Sequence, residues 1–265
     1  MTSPDRAALE HENWIAYLIG VGGCSPSVEI QRIGGVVRIR SGMPFDWFNQ
    51  VLVERDDAGA SDLLEAAGAA THGAGGLVVR LRQRTDDRFI PDLTRAGWIA
   101  ADAGTMTPGM VAFPIDHLPS MATDLPGFQI RRVTDDAGVE DHRAVVTDGF
   151  GVARSVAIGT AGFDLLGTPT CAIYVGYADG LPVASGMGWR TGRTIGVYAV
   201  STIPEARRRG YGEAMTARVV VDGIAAGCDV AALQASEAGR PIYERLGFRV
   251  VLQYDAYARA PEVPL

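Results

Sequence analysis

Residues Arg207-Arg208-Arg209-Gly210-Tyr211-Gly212 set three guanidinium groups beside two glycines in a chain of formal net charge -7. They follow the apolar run "TIGVYAVSTI", which reads as a strand, and lead into "GEAMTARVVVDGIAAGC", whose apolar positions recur at helical spacing. A strand that turns into a helix leaves backbone N–H groups unpaired at the helix start, with the positive end of the helix dipole facing outward. Glycines let an anion come close to that backbone, and arginines add charge-assisted hydrogen bonds worth roughly 1.5–3 kcal/mol each when well formed. The chemistry of such a stretch is the holding of a diphosphate.

Two common diphosphate motifs do not fit. A dinucleotide fold needs Gly-x-Gly-x-x-Gly within a parallel unit and an acid about 20 positions on, and a nucleotide-hydrolysing loop needs Gly-Lys-Ser/Thr. The glycine spacing fails the first, and the chain has no lysine for the second. By contrast, Arg207-x-x-Gly210-x-Gly212 after "GVYAVST" and Pro204 resembles the pyrophosphate motif of the GNAT superfamily of acyl-coenzyme A dependent N-acetyltransferases. A second family motif stands at the right separation, as "LQAS" followed by "PIYERLGF", with Tyr243 and Gly247-Phe248 at family positions. The similarity covers residues 128 to 260 in element order.

The resemblance implies acetyl-coenzyme A as cosubstrate, with no metal, and acetyl transfer to a primary amine of a small molecule without a covalent enzyme intermediate. It implies that the backbone of Val200, Ser201 and Thr202 pairs with the pantetheine arm, as a strand added to a splayed sheet edge. It also implies that the amides from Arg207, Arg208, Arg209, Gly210, Tyr211 and Gly212 cradle the pyrophosphate. Tyr243 takes the place of the general acid that protonates the departing thiolate, an effect typically worth about 10²–10⁴ in rate; a helix tyrosine there also packs on a sheet. Ser236 either bonds the cofactor or caps the helix that follows it. Related enzymes often carry a glutamate as base on the strand before the arginine loop. This sequence offers Tyr198 and Ser201 there, so a water-relayed proton is expected. Asp135, Asp136, Glu140, Asp141, His142 and Asp148 gather around the first helix of that region and read mainly as its solvated face.

These residues need a frame. "IRRV" reads as a strand, "TDDAGVEDHRAVVTDGFG" as a helix with a Thr/Asp cap, and "VARSVAIGTAGFDLL" as a second, weaker helix. "CAIYVGYAD" and "LPVASGMGWR" form a hairpin around Asp179-Gly180, and "TIGVYAVSTI" adds a third strand. The arginine loop, the long helix ending at Gly227, the strand "DVAALQAS", the helix "GRPIYERLGF" and a final strand pair in "RVVLQYDAYAR" complete the order. The expected class is α/β (α+β), a mixed, mostly antiparallel splayed sheet flanked by helices.

The first half repeats this order more faintly. With "LTRAGW" set against "YERLGF", "FNQVLVER" falls opposite "IGVYAVST", "SDLLEAAGAATHG" opposite the long helix and "GGLVVRLRQ" opposite "DVAALQAS". The spans from Val53 to Gly97 and from Val200 to Gly247 are about 44 and about 47 residues, which points to a duplication. In place of the arginine loop the first copy has "DDAGAS", which would repel an anion. The proline-bearing segment "AFPIDHLPSMATDLPGF" reads as a linker, giving a degenerate domain over 1–124 and a cofactor-binding domain over 125–265.

With 47% hydrophobic and 21% charged residues among 265, the chain has the composition of a globular protein. All 24 cations are arginine, a bias that a GC-rich coding sequence accounts for. The acidic total and the lack of a basic tail speak against a nucleic-acid partner, including charged transfer RNA. Cys24, Cys171 and Cys228 are too scattered for a zinc site and lie outside both motifs, so reduced thiols are expected. "WIAYLIGVGG" is too short to span a bilayer and follows acidic residues, unlike a signal peptide, so the expected location is the cytoplasm, with no membrane partner. A homodimer is compatible with the sequence. The alternative function is a coenzyme A binding or sensing protein that has lost its chemistry, for which the Tyr243 hydroxyl would be dispensable.

Overall fold

The computed structural model of the protein describes residues 5–25, 27–41, 46–68, 76–101, 107–115 and 125–259. The elements begin with α1 (Arg6–Gly23), β1 (Glu29–Ile33), β2 (Val36–Arg40), β3 (Asn49–Val53), α2 (Ala60–Gly68) and β4 (Val78–Arg82). Next come α3 (Ile90–Arg95), β5 (Trp98–Ala100), β6 (Thr107–Ala112), β7 (Phe128–Arg132), α4 (Asp136–Phe150) and α5 (Arg154–Thr160). Last are β8 (Cys171–Ala178), β9 (Leu181–Thr191), β10 (Thr194–Thr202), α6 (Tyr211–Ala225), β11 (Val230–Gln234), α7 (Arg240–Arg245) and β12 (Arg249–Arg259).

The chain packs as two compact units, one of Met1–Tyr17 with Gly109–Val251, the other of Leu18–Pro108 with Leu252–Leu265. These boundaries depart from a single cut at residue 125, and strand pairing is the reason. Gly109–Ala112 of β6 pair antiparallel with Ala231–Gln234 of β11, which draws them into the first unit. Tyr254–Ala258 of β12 pair with Val78–Arg82 of β4, which draws the end of the chain into the second. The proline-bearing segment expected as a linker lies partly outside the described residues, over 116–124. The expected strand pair in "RVVLQYDAYAR" is one strand: residues 250–258 hold no Gly, Pro or Asn, and Asp255 pairs with Leu81 of β4 rather than turning the chain.

In the first unit β7, β8, β9 and β10 follow one another antiparallel, and β11 pairs parallel to β10. The β8–β9 turn places Asp179 at φ 51 and Gly180 at φ 79, the left-handed pair expected from the Asp-Gly signal. α4 starts where Asp135 accepts a hydrogen bond from the Gly138 amide at 2.9 Å and stops at Gly151, whose φ of 66 cannot continue a helix. α6 lays Met215, Val219 and Val220 into the core with Tyr174, Val183, Ile195 and Val197; full burial of each such side chain stabilises by roughly 1.5–3 kcal/mol. Its first residue, Tyr211, stacks on Phe128 with ring centroids 4.1 Å apart.

The second unit has the same local order of β3, α2, β4, α3 and β5, with β2 and β3 antiparallel and β3 and β4 parallel. Its core gathers Val51, Val53, Leu63, Leu81, Leu93 and Trp98. Between β3 and α2, where the other unit carries its arginine loop, Asp62 accepts from the Gly59 amide at 3.1 Å and Asp56 binds Arg82 at 3.0 Å. The helix start there is occupied by the chain's own carboxylate.

Candidate active site

The site forms where β10 parts from β11. Their parallel pairing joins Thr194–Gly196 to Val230–Ala232 and goes no further, while β10 runs on to Thr202 and β11 to Gln234. One residue explains the divergence: Ala199 has φ 49, and the register with β9 shifts between Tyr198 and Ser201. This is a β-bulge, which bends and twists the strand that carries it. Before the bulge Ile195 and Val197 face α6; after it Val200 and Thr202 lie nearest to Gly212 of that helix. The edge of β10 beyond Gly196 therefore keeps main-chain groups that β11 does not take.

From Thr202 the chain passes through a short turn at Pro204–Ala206 into the arginine loop. Arg208 has φ 64 and Gly210 φ 84, so alternate residues turn left-handed and gather successive N–H groups toward one concave side. Ala214 is the first residue of α6 whose amide reaches back into the helix, to the Gly210 carbonyl at 3.0 Å. No side chain caps the helix, and the amides of Tyr211, Gly212 and Glu213 find no acceptor among the described residues. A Cβ on Gly212 would sit 3.8 Å from Thr202 Oγ1 and 3.9 Å from Val200 Cγ1, ordinary contact distances. The protein's own packing does not require glycine there, whereas an anion approaching those amides does.

The three arginines differ. Arg207, though exposed, is tied to the protein: its guanidinium donates to the Gly149 carbonyl at 2.8 Å and, through Nε, to the Thr202 carbonyl at 3.2 Å. Its side chain is a brace between α4 and β10. Arg208 and Arg209 are exposed and have no hydrogen-bond or ion-pair partner among the described residues, so their charge is available at the helix start. Tyr211 offers its amide only, because its ring is committed to Phe128. The expected cofactor residues Val200, Thr202, Gly210, Tyr211 and Gly212 thus come together around one cradle.

Ser201 and Tyr198 do not provide a base. Ser201 is buried, and its hydroxyl lies 3.1 Å from both the Val145 carbonyl and Ser185 Oγ. Tyr198 is buried, donates to Asn13 Oδ1 at 2.6 Å and stacks on Tyr17 with centroids 3.6 Å apart. Burial first, and then the charge of Glu10, push its hydroxyl well above the usual tyrosine range.

Ser236 and Tyr243 form a second group around Gly239. Ser236 Oγ accepts from the Gly239 amide at 3.1 Å, the capping contact weighed in the sequence. Tyr243 is half-buried, packs edge-on against Phe248, and makes no side-chain hydrogen bond among the described residues. Burial pushes its hydroxyl up to about 12, so it holds its proton at neutral pH, as a general acid must.

Three of the five acidic residues gathered around α4 are occupied structurally. Asp141 accepts from Tyr177 at 2.6 Å, Glu140 binds Arg143 and Arg154, and Asp135 caps the helix. His142 is buried rather than solvated, with Nδ1 3.4 Å from the Tyr174 carbonyl, and burial lowers its pKa to about 4. All three cysteines are free; burial raises the Cys228 thiol, which weakens it as a nucleophile.

Sequence reasoning missed one component. Glu10 and Asn13 of α1 are wholly buried in the same unit as the loop, and Glu10 Oε1 accepts from Gln234 Nε2 at 2.5 Å. The signal was present in "LEHENWIAY", where Glu10, Asn13 and Tyr17 share one helical face.

Comparison with known proteins agrees with this geometry. The family described as "Acetyltransferase (GNAT) domain" matches residues 169–250. A GCN5-related N-acetyltransferase from Kribbella flavida superposes with a TM-score of 0.72 at 16% identity, over 98% of each chain. A GCN5-related N-acetyltransferase from Sphaerobacter thermophilus gives 0.60 at 14% identity, over 99% of this chain and 96% of its own. A tandem GNAT protein from the clavulanic acid biosynthesis pathway gives 0.62 at 12% identity, over 98% and 96%. A comparison with curated protein sequences finds no match. Residues 169–250 are an acetyltransferase (GNAT) domain, in a chain with the fold of the GNAT N-acetyltransferases.

Proposed function

We propose that this protein moves an acetyl group from acetyl-coenzyme A to a primary amine of a small molecule by direct transfer. The observation that carries the reading is the cradle at the start of α6. Unpartnered amides, two exposed guanidinium groups and a glycine that packing does not require converge beside a strand edge that β11 leaves unpaired. The amides and Arg208 and Arg209 suit a pyrophosphate, and the edge of β10 at Val200–Thr202 suits an amide-bearing arm.

In this reading the amine nitrogen forms its bond to the thioester carbonyl carbon, and the C–S bond breaks. Tyr243 gives its proton to the thiolate and recovers one from solvent; the nitrogen loses its proton to water. A covalent enzyme intermediate is not needed, in keeping with buried Cys171 and Cys228. The unit around β3 and α2 is proposed to be a degenerate copy, on the strength of its matching element order and its acidic loop. We further propose a cytoplasmic protein without a nucleic-acid or membrane partner. Its acidic total supports the first point, and no helix among the described residues is long and apolar enough to cross a membrane. A homodimer is compatible with this reading.

Calorimetric titration of acetyl-coenzyme A into the wild-type protein and an Arg208→Glu/Arg209→Glu variant tests the reading. Micromolar binding that the variant loses is the expected result; no binding by the wild type overturns it. Thiol release on adding amines then separates an enzyme from a coenzyme A binder.

A further inference from the structure

Between Tyr198, which pairs with Met187, and Ser201, which pairs with Ser185, β10 takes three steps where β9 takes two. Ala199 and Val200 share the extra step and have no register partner in β9 or β11. The added residue reverses the alternation of side chains. Ile195 and Val197 face α6 before it and Val200 after it, while Ser201 turns to α4. Ala199 takes φ 49 to make the change, a left-handed conformation that crowds its Cβ and that glycine would adopt freely. A residue with a side chain persists there only where its surroundings hold it.

The hold is Ser185. This residue of β9 is wholly buried, and its hydroxyl donates to the Ala199 carbonyl at 2.8 Å. Ser185 and Ser201 have one hydroxyl proton each, and three contacts compete for them: Ser185 with the Ala199 carbonyl, Ser201 with the Val145 carbonyl at 3.1 Å, and the two Oγ atoms with each other at 3.1 Å. The shortest contact takes the Ser185 proton, and Ser201 gives its own to Val145 or to Ser185. Gly149 of α4 leaves the room this needs, since a Cβ there would lie 2.5 Å from Ser201 Oγ.

A held carbonyl fixes the other half of its peptide. The Ala199–Val200 bond is trans, so its C=O and N–H point in opposite directions. With the carbonyl on Ser185, the Val200 N–H points away from β9, toward the side of β10 that β11 has left. Resting on the function proposed above, that side receives the arm of acetyl-coenzyme A. We propose that Ser185 is a positioning residue for the cosubstrate, whose hydroxyl sets the Ala199–Val200 peptide so that the Val200 N–H meets an amide carbonyl of the arm. Ser185 itself, wholly buried, touches no part of the cosubstrate. The diphosphate cradle at the start of α6 is built from other amides and does not depend on it.

The test titrates two probes by calorimetry into the wild type and Ser185→Ala: acetyl-coenzyme A, and ADP, which has the diphosphate and no arm. The expected result is an acetyl-coenzyme A Kd raised about fivefold or more, the worth of one neutral hydrogen bond, with the ADP Kd held within about twofold. A merely structural role for Ser185 would weaken both probes in parallel, and that outcome overturns the proposal, as does wild-type affinity for acetyl-coenzyme A in Ser185→Ala. A wild type that binds neither probe overturns the cofactor reading and this proposal with it, whereas wild-type binding without a selective loss in the variant overturns this proposal alone. If Ser185→Ala does not fold, Ser185→Cys, which keeps a side chain of similar shape with a weaker donor, takes its place under the same outcomes.

Discussion

The Arg207 guanidinium donates to the carbonyl oxygen of Gly149 at 2.8 Å, in the last turn of α4. Carbonyls at a helix C-terminus lack helical partners, and a cation there meets both the lone pair and the dipole. Arg207→Ala is expected to cost about 1 kcal/mol of stability, below the roughly 1.5–3 kcal/mol of a charged hydrogen bond because solvent screens an exposed position. Acetyl-coenzyme A affinity should fall less than in the Arg208→Glu/Arg209→Glu variant. Denaturant unfolding alongside calorimetry separates the two effects; equal binding losses without a change in stability would return Arg207 to the phosphate cradle.

Gly210 and Gly212 should respond to alanine in opposite ways. Gly210 has φ 84, so Gly210→Ala places a Cβ in the left-handed region and should destabilise by about 1–2 kcal/mol. Gly212→Ala meets only ordinary contacts and adds helix propensity, so stability should hold or rise by up to about 1 kcal/mol while acetyl-coenzyme A binding falls. Tm and a binding isotherm for each variant check this pair.

Tyr243→Phe should leave acetyl-coenzyme A affinity unchanged and lower kcat, by about 10²–10⁴ if thiolate protonation limits the rate. Burial pushes the Tyr243 hydroxyl up to about 12, so the wild-type rate should show no alkaline limb from this group up to pH 10. A Phe variant as active as the wild type removes Tyr243 from the chemistry.

His142 gives the fold a definite acid response. Burial lowers its pKa to about 4, below the unfolded value near 6.5, so the unfolded chain takes up a proton first as pH drops. Its contribution is complete above pH 6.5 and is lost as pH falls toward 4, amounting to about 1–2 kcal/mol by pH 5. Urea unfolding at pH 7 and pH 5 should show a smaller loss for His142→Gln than for the wild type.

The cradle at the start of α6 was readable because it depends on local rules. A glycine with positive φ before a helix, three consecutive arginines and an apolar strand ahead of them are all written within residues 194–227. The roles within the cluster were not, since nothing local distinguishes Arg207, which reaches Gly149, from Arg208, which does not. Glu10 escaped for a stronger reason: its partner Gln234 is 224 residues away, and only the packing of α1 beside β11 brings them together. The unit boundaries were obscured by the same cause, because β6 and β12 join their sheets by register rather than by chain order.

The arginine-only chemistry of this chain has a consequence for a protein proposed to handle a reactive thioester. A guanidinium is a poor nucleophile, so Arg208 and Arg209 are suited to attract the donor's phosphates without attacking its carbonyl. A lysine in their place would titrate, and its free amine would be a nucleophile within reach of a tethered acyl donor. With no ε-amine anywhere in its sequence, the protein is chemically inert toward lysine self-acylation, and none of its side chains is an amine that competes with the acceptor.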